Sequence, residues 1–379
     1  MKALKPFLEI AKSTYNLYMK AWKENGGKIV GYLCPNVPEE LLIAANLLPF
    51  RLRAPESTET TDAEKYLNSL NCSYCRHVVD EGLKGKYDFM SGLVGTNGCD
   101  QIRRSCDTFR NAKFKHEIAD HTFFTEFVNT PRVPDDDVSL QYYQEELVRL
   151  KEGLEKQYDV QITDEKLQAA IKLVNTSRTL LRKLYDLRKA EKPPISGAEM
   201  LAVTVAFGSM PKTEYNKILE QLIEALNGRV ALAGATKRMF VYGGELDDPQ
   251  FVKLIEDQGA VVVGDGLCFG ARQVWEMVDE TIDPMAAIAK RYLTRWSCPR
   301  STDPQDRLKR VRDIVSEWHA DGIVGFRMIF CQPGGAERTL SNLDAKESGI
   351  PTLWLDREYR FGGVGQMKTR IQAFLESLE

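Results

Sequence analysis

The chain has 379 residues, 43% hydrophobic and 28% charged, with 51 basic against 54 acidic residues and a net charge of −3. These figures fit a globular protein of two or three domains, and without a basic excess it is not expected to bind nucleic acid. The longest apolar stretch, residues 41–50, is interrupted by Asn46 and Pro49, and lysines at 2, 5, 12 and 20 break up any secretory leader, so a cytoplasmic protein with no membrane segment is expected.

Lys28-Ile-Val-Gly-Tyr-Leu33 predicts a first strand, and Pro38-Glu-Glu-Leu opens a helix with a proline and two acids in its first turn. Residues 62–84 read as a helix, 88–94 as a second strand and 122–128 as a third. Apolar spacing of three and four then predicts helices over 138–157, 164–189, 197–207 and 212–227, with Glu191-Lys-Pro-Pro194 as a break. Strands return at 239–242, 260–263, 322–330 and 352–355, with helices over 249–258, 271–278, 303–320 and 337–348. This alternation predicts an α/β fold with two parallel-sheet, flavodoxin- or Rossmann-like domains flanking a helical segment. The expected divisions are 1–134, an α/β domain with a leading helix; 135–227, helical; and 228–379, a second α/β domain.

Eight cysteines are too few for a disulfide scaffold in a chain this long. Taken singly, each reads as a small buried hydrophobe. Cys34, Cys99 and Cys331, however, all follow predicted strands at the carboxyl edge, where open α/β sheets bind ligands. Each also precedes a helix start, whose free N–H groups are expected to lower a thiol pKa and stabilise an anionic centre. An iron-sulfur cluster between domains suits such thiols. Zinc is the competitor, but the chain has one short-spaced pair, Cys72-Ser-Tyr-Cys75, and it falls within a predicted helix, where core and ligand roles stay open. A redox C-x-x-C is expected at a helix start after a strand, which this pair is not. His77 reads as a helix-surface residue that could join the pair. Cys268 and Cys298 are expected to line the cleft and Cys106 to be core. Gly362-Gly-Val-Gly365 reads as a helix entry. The chain has no G-x-x-x-x-G-K-[ST], no G-x-G-x-x-G opening a helix after a strand, and no H-E-x-x-H or G-x-S-x-G, which argues against a P-loop ATPase or a hydrolase.

Gly31-Tyr-Leu-Cys-Pro-Asn-Val-Pro-Glu-Glu40, Asn97-Gly-Cys-Asp100, Gly264-Asp-Gly-Leu-Cys-Phe-Gly-Ala-Arg272, Phe330-Cys-Gln-Pro333 and Gly365-Gln-Met-Lys368 resemble blocks of the benzoyl-CoA reductase and 2-hydroxyacyl-CoA dehydratase family. The resemblance runs from about Gly31 to Phe374. It implies that Cys34, Cys99 and Cys331 hold a [4Fe-4S] cluster whose fourth iron ligand is not a cysteine. It also implies a heterodimer with a related larger cluster-bearing subunit, a separate ATP-hydrolysing iron-sulfur activator and an acyl-CoA substrate, in anaerobic metabolism such as aromatic degradation. Arg51, Arg53, Arg103 and Arg104 lie near the expected cleft and could meet CoA phosphates, but surface arginines are common and the CoA-binding residues are left unassigned. No catalytic residue is assigned. Within the family, Cys268 and Arg291-Tyr-Leu-Thr-Arg-Trp-Ser-Cys298 look most like a small subunit of an ATP-dependent benzoyl-CoA reductase. The alternatives are a 2-hydroxyacyl-CoA dehydratase subunit, a double-cubane [8Fe-9S] reductase, and a non-catalytic metal-binding scaffold subunit. The chain departs from the family pattern at Asn46, where glycine is common, and in the extra thiol Cys75.

Overall fold

A computed structural model describes residues 1–111, 123–134 and 136–378. Its strands are β1 (Lys28–Tyr32), β2 (Leu47–Arg51), β3 (Gly92–Thr96), β4 (Phe124–Val128), β5 (Lys237–Gly243), β6 (Ala260–Gly266), β7 (Gly322–Met328) and β8 (Thr352–Arg357). They form two four-stranded sheets of the same order, β2-β1-β3-β4 and β6-β5-β7-β8, and every pairing is parallel. The α/β expectation thus holds. Among the described residues no helix is long and apolar enough to cross a membrane.

The strand missed by pattern reading is β2, which overlaps the end of the apolar stretch 41–50 and carries Pro49. Proline has no N–H to give a ladder, and β2 is an edge strand, where that loss is tolerated. The turn into it is left-handed at Asn46, φ 58°. Asparagine is among the few non-glycine residues that adopt this conformation readily, which accounts for the departure from glycine there. The predicted helix over 62–84 is instead a short 3₁₀ turn, Ala63–Lys65, and a later helix, Ser73–Leu83. The predicted start of the third strand, Thr122, and two histidines, His116 and His121, lie outside the described residues.

The middle helices serve both sheets. Asp137–Tyr158 packs on β4 and on the late helix Pro284–Thr294, whereas the apolar helix Gly197–Phe207 packs on β6 and Pro249–Glu256. Gly197–Phe207 begins with a capping box in which Ser196 and Glu199 satisfy each other's N–H groups. One apolar core surrounds the second sheet; two others cover the faces of the first.

Glu39 and Glu40, the two acids of the first helical turn, are buried. Glu39 meets Lys212 at 2.5 Å and Glu40 meets Arg178 at 2.7 Å, so the helix Glu39–Ala44 is fastened to the middle helices by paired charges. Burying either acid without its partner would be strongly unfavourable.

Candidate functional site

In both sheets the chain leaves the two central strands in opposite directions, from β1 to β2 and β3 to β4, and from β5 to β6 and β7 to β8. Such a reversal opens a crevice at the carboxyl ends of the central strands. The two crevices share one cleft of about 940 Å³, lined by Cys34, Cys72, Cys75, Cys99, Cys268, Cys298 and Cys331. Cys34 lies two residues beyond β1, Cys99 three beyond β3 and Cys331 three beyond β7. Cys106 is buried in the helix Asp100–Asn111 and is not part of the lining.

Each of the three strand-end sulfurs faces a main-chain N–H: Ile102 N donates to Cys99 Sγ at 3.5 Å, Gly334 N to Cys331 Sγ at 3.4 Å, and Asn36 N to Cys34. Cys331 is the N-cap of the helix Gln332–Ser348. The residue before it, Phe330, is left-handed at φ 64° with an exposed ring. For a bulky side chain that conformation is strained, and strain of this kind gathers where a neighbouring group must be aimed. Room around the sulfurs is left by glycine: a Cβ on Gly98 would stand 2.7 Å from Cys34 Sγ, and one on Gly334 3.1 Å from Cys331 Sγ.

The expected depression of the thiol pKa values does not occur. Burial pushes Cys34 up to about 11 and Cys331 up to about 12, and lifts Cys99 well above the ordinary thiol range. One N–H apiece offsets less than the loss of water removes. Thiols in this state carry protons until a cation takes their place, and a soft, thiol-only donor set suits iron-sulfur or zinc chemistry. Among the described residues no three metal-ligating side chains converge on one point, as a single ion requires. What the structure does bring together is a set of thiols from both sheets around one cleft, the donor chemistry an iron-sulfur cluster uses.

The remaining wall is charged and buried. Arg272 Nη2 lies 3.1 Å from Cys268 Sγ and also donates to the Gly243 carbonyl, while its Nε and Nη1 have no hydrogen-bond partner among the described residues. Arg295 donates to the Arg272 carbonyl and to Asn36 Oδ1, both at 2.7 Å. By contrast, Arg51 is paired with Glu245 and Arg307 with Glu337. The cleft therefore keeps two guanidiniums whose hydrogen bonds reach no carboxylate, an environment suited to an anionic occupant.

Other expectations are corrected by burial. Cys72 is not inside a helix but is the N-cap of Ser73–Leu83, with Cys75 as its third residue. A hydrogen bond with the Cys75 thiol, assisted by the N–H groups of Cys75 and Tyr74 and opposed by burial, holds Cys72 below the ordinary thiol value. His77 is buried rather than on the surface, with Nδ1 2.8 Å from Ser57 Oγ, and is not in the cleft lining. Arg51 and Arg53 are committed internally, Arg53 to the carbonyls of Ile10, Ala11 and Ser13, so neither is free for a phosphate. Arg103 and Arg104 are exposed. Sequence reading passed over Asn36, Glu245, Arg272, Arg295 and Glu337 as wall residues; Gly243-Gly244 at the end of a strand was the available sign that β5 also feeds the site.

Residues 34–378 match the family described as 2-hydroxyglutaryl-CoA dehydratase, D-component. The chain is 26% identical to the (R)-phenyllactyl-CoA dehydratase beta subunit of Clostridium sporogenes over 378 residues, covering 100% of this chain and 99% of that one. It is 25% identical to a benzoyl-CoA reductase subunit of Thauera aromatica over 368 residues, 95% and 94% of the two chains. It is also 25% identical to the beta subunit of (R)-2-hydroxyglutaryl-CoA dehydratase of Acidaminococcus fermentans over 385 positions, 99% and 98%.

Proposed function

The chain belongs to the 2-hydroxyglutaryl-CoA dehydratase D-component family, and from that membership we propose that it is the smaller cluster-bearing subunit of an ATP-dependent benzoyl-CoA reductase. The observation that carries the proposal is the convergence of strand-end thiols from both sheets on one cleft, three of them facing a main-chain N–H. Cys34, Cys99 and Cys331 are assigned to a [4Fe-4S] cluster, with residues 1–134 and 228–379 as the α/β domains on either side of the helical segment 135–227. When bound, the cluster supplies single electrons at low potential for reduction of an aromatic acyl-CoA thioester.

The chain's own residues have separate tasks. The thiols, once deprotonated, fix the cluster to both sheets at once. Arg272 and Arg295 offset negative charge in a place that water cannot screen. Trp296, Phe326 and Trp354 line the cleft and keep it apolar between the charged groups. No nucleotide-binding loop is present in the sequence, which accords with a separate ATP-hydrolysing activator, and a related larger subunit is the assigned partner. A second reading, a 2-hydroxyacyl-CoA dehydratase subunit, is favoured by the dehydratase names of two of the relatives above.

The test is an anaerobic assay of the chain with its partner subunit, activator and ATP. Consumption of benzoyl-CoA supports the reductase; dehydration of a 2-hydroxyacyl-CoA with benzoyl-CoA untouched supports the second reading. Iron content is read on the same sample: about four per chain supports [4Fe-4S], about eight a double cubane, and zinc without iron removes both.

A further inference from the structure

We propose that Cys72 and Cys75 form a reversible disulfide, a two-electron redox couple built into the cleft wall. The pair brackets the first turn of Ser73–Leu83, as N-cap and third helical residue. Residues so placed stand one turn apart on one face, compatible with the Cα separation of about 4.4–6.8 Å that a disulfide needs. Each thiol is also the largest single influence on the other's ionisation, as expected of neighbours on one turn. Cys72 has non-helical backbone angles, φ −51° and ψ 130°, so its side chain can swing to close the bridge without unwinding the turn.

Cys99 and Cys331 line the same cleft and are the thiols that compete with Cys75 for Cys72. Met328 Sδ, 3.5 Å from Cys72 Sγ, is a thioether that cannot form a disulfide. Cys72 and Cys75 are otherwise buried, 7% and 1% exposed, but both line the cleft, so a small oxidant has one route to them. The chemistry balances with a low-molecular-weight disulfide as the oxidant. The Cys72 thiolate attacks one of its sulfurs, forming a mixed disulfide and releasing one small thiol. Cys75 then gives up its proton and attacks Cys72 Sγ, forming the Cys72–Cys75 bond and releasing the second small thiol. Two electrons pass from the protein sulfurs to the oxidant. The bridge needs neither a cluster nor a partner subunit, so it stands apart from the proposed function.

The full chain, as purified anaerobically and again after iron chelation, is equilibrated with oxidised and reduced glutathione at rising ratios, quenched, alkylated and digested with trypsin. Cleavage after Lys65 and Arg76 releases residues 66–76 as one peptide holding both cysteines. The expected result is conversion of that peptide from doubly alkylated to unalkylated and two hydrogens lighter than its reduced form, reversed by dithiothreitol. In Cys75→Ser the same peptide holds glutathione on Cys72 instead. A peptide that stays doubly alkylated in both states of the chain, carries two glutathiones, or is joined to a cysteine elsewhere overturns the proposal.

Discussion

Arg51 Nη2, at the end of β2, lies 2.8 and 3.0 Å from the two carboxylate oxygens of Glu245, just beyond β5, joining the two sheets across the floor of the cleft. The guanidinium is fully buried, stacks 3.6 Å from the centre of the Phe269 ring and also donates to the Cys268 carbonyl. Burial holds the Glu245 carboxyl above the ordinary range even with Arg51 beside it. Removing the cation leaves that acid without its counter-charge. Arg51→Met is therefore expected to cost on the order of 3–5 kcal/mol, and Arg51→Met with Glu245→Gln clearly less, as read from urea unfolding midpoints. Equal losses in the two variants would show that the pair is not coupled.

Cys34→Ser, Cys99→Ser and Cys331→Ser are each expected to abolish the visible absorption of the iron-loaded chain while far-UV circular dichroism stays unchanged. A variant that keeps its absorption is removed from the proposed ligand set.

Gly98→Ala tests the space around the thiols. Its Cβ would press on Cys34 Sγ, whereas a Cβ on Gly234 would meet nothing within 4 Å. Gly98→Ala should reduce iron bound per chain at a stability cost on the order of 1–3 kcal/mol, and Gly234→Ala should do neither. Metal analysis beside thermal melts reads both; unchanged iron in Gly98→Ala would mean that Cys34 is not held where the cleft places it.

His77 gives the acid limb of stability a residue of its own. Burial first, then the neighbouring Arg76 and Arg360, pushes its imidazole down to about 4. Well above pH 6.5 the ring is neutral whether the chain is folded or not. As pH falls from 6.5 towards 4 the unfolded chain takes a proton that the folded chain refuses, so stability is lost across that window, on the order of 2–3 kcal/mol in all. His77→Gln should flatten this part of the pH-stability curve, measured by denaturant unfolding at several pH values. A curve as steep as that of the parent chain would assign the acid limb to other groups.

The parallel strands were legible because their β-branched and aromatic runs are short, apolar and bounded by turns. Strand β2 was hidden by Pro49, which reads as a breaker until its edge position is known. The strand-end thiols were legible for a topological reason: parallel strands share one carboxyl edge, so Cys34 and Cys99 could be placed together without coordinates. Burial was not legible, and it reversed several expectations: the thiol pKa directions, the surface setting of His77, and the availability of Arg51 and Arg53. The Cys72–Cys75 pair was misread because a periodicity running over 62–84 conceals where the helix starts; only the N-cap at Cys72 separates the redox geometry from a plain helical face.

The helix Pro284–Thr294 contributes Met285, Ile288 and Leu293 to the core of the first sheet, although it is made after every strand of that sheet. Cys331 comes later still, and the cleft needs residues from both sheets. During synthesis, then, Cys34 and Cys99 emerge long before the structure that encloses them is complete. A truncated or stalled chain would have a first sheet with part of its core missing and no opposing wall. The cleft is in this sense a checkpoint on chain completion: its full set of thiols comes together only after the C-terminal half has been made and has docked back onto the first.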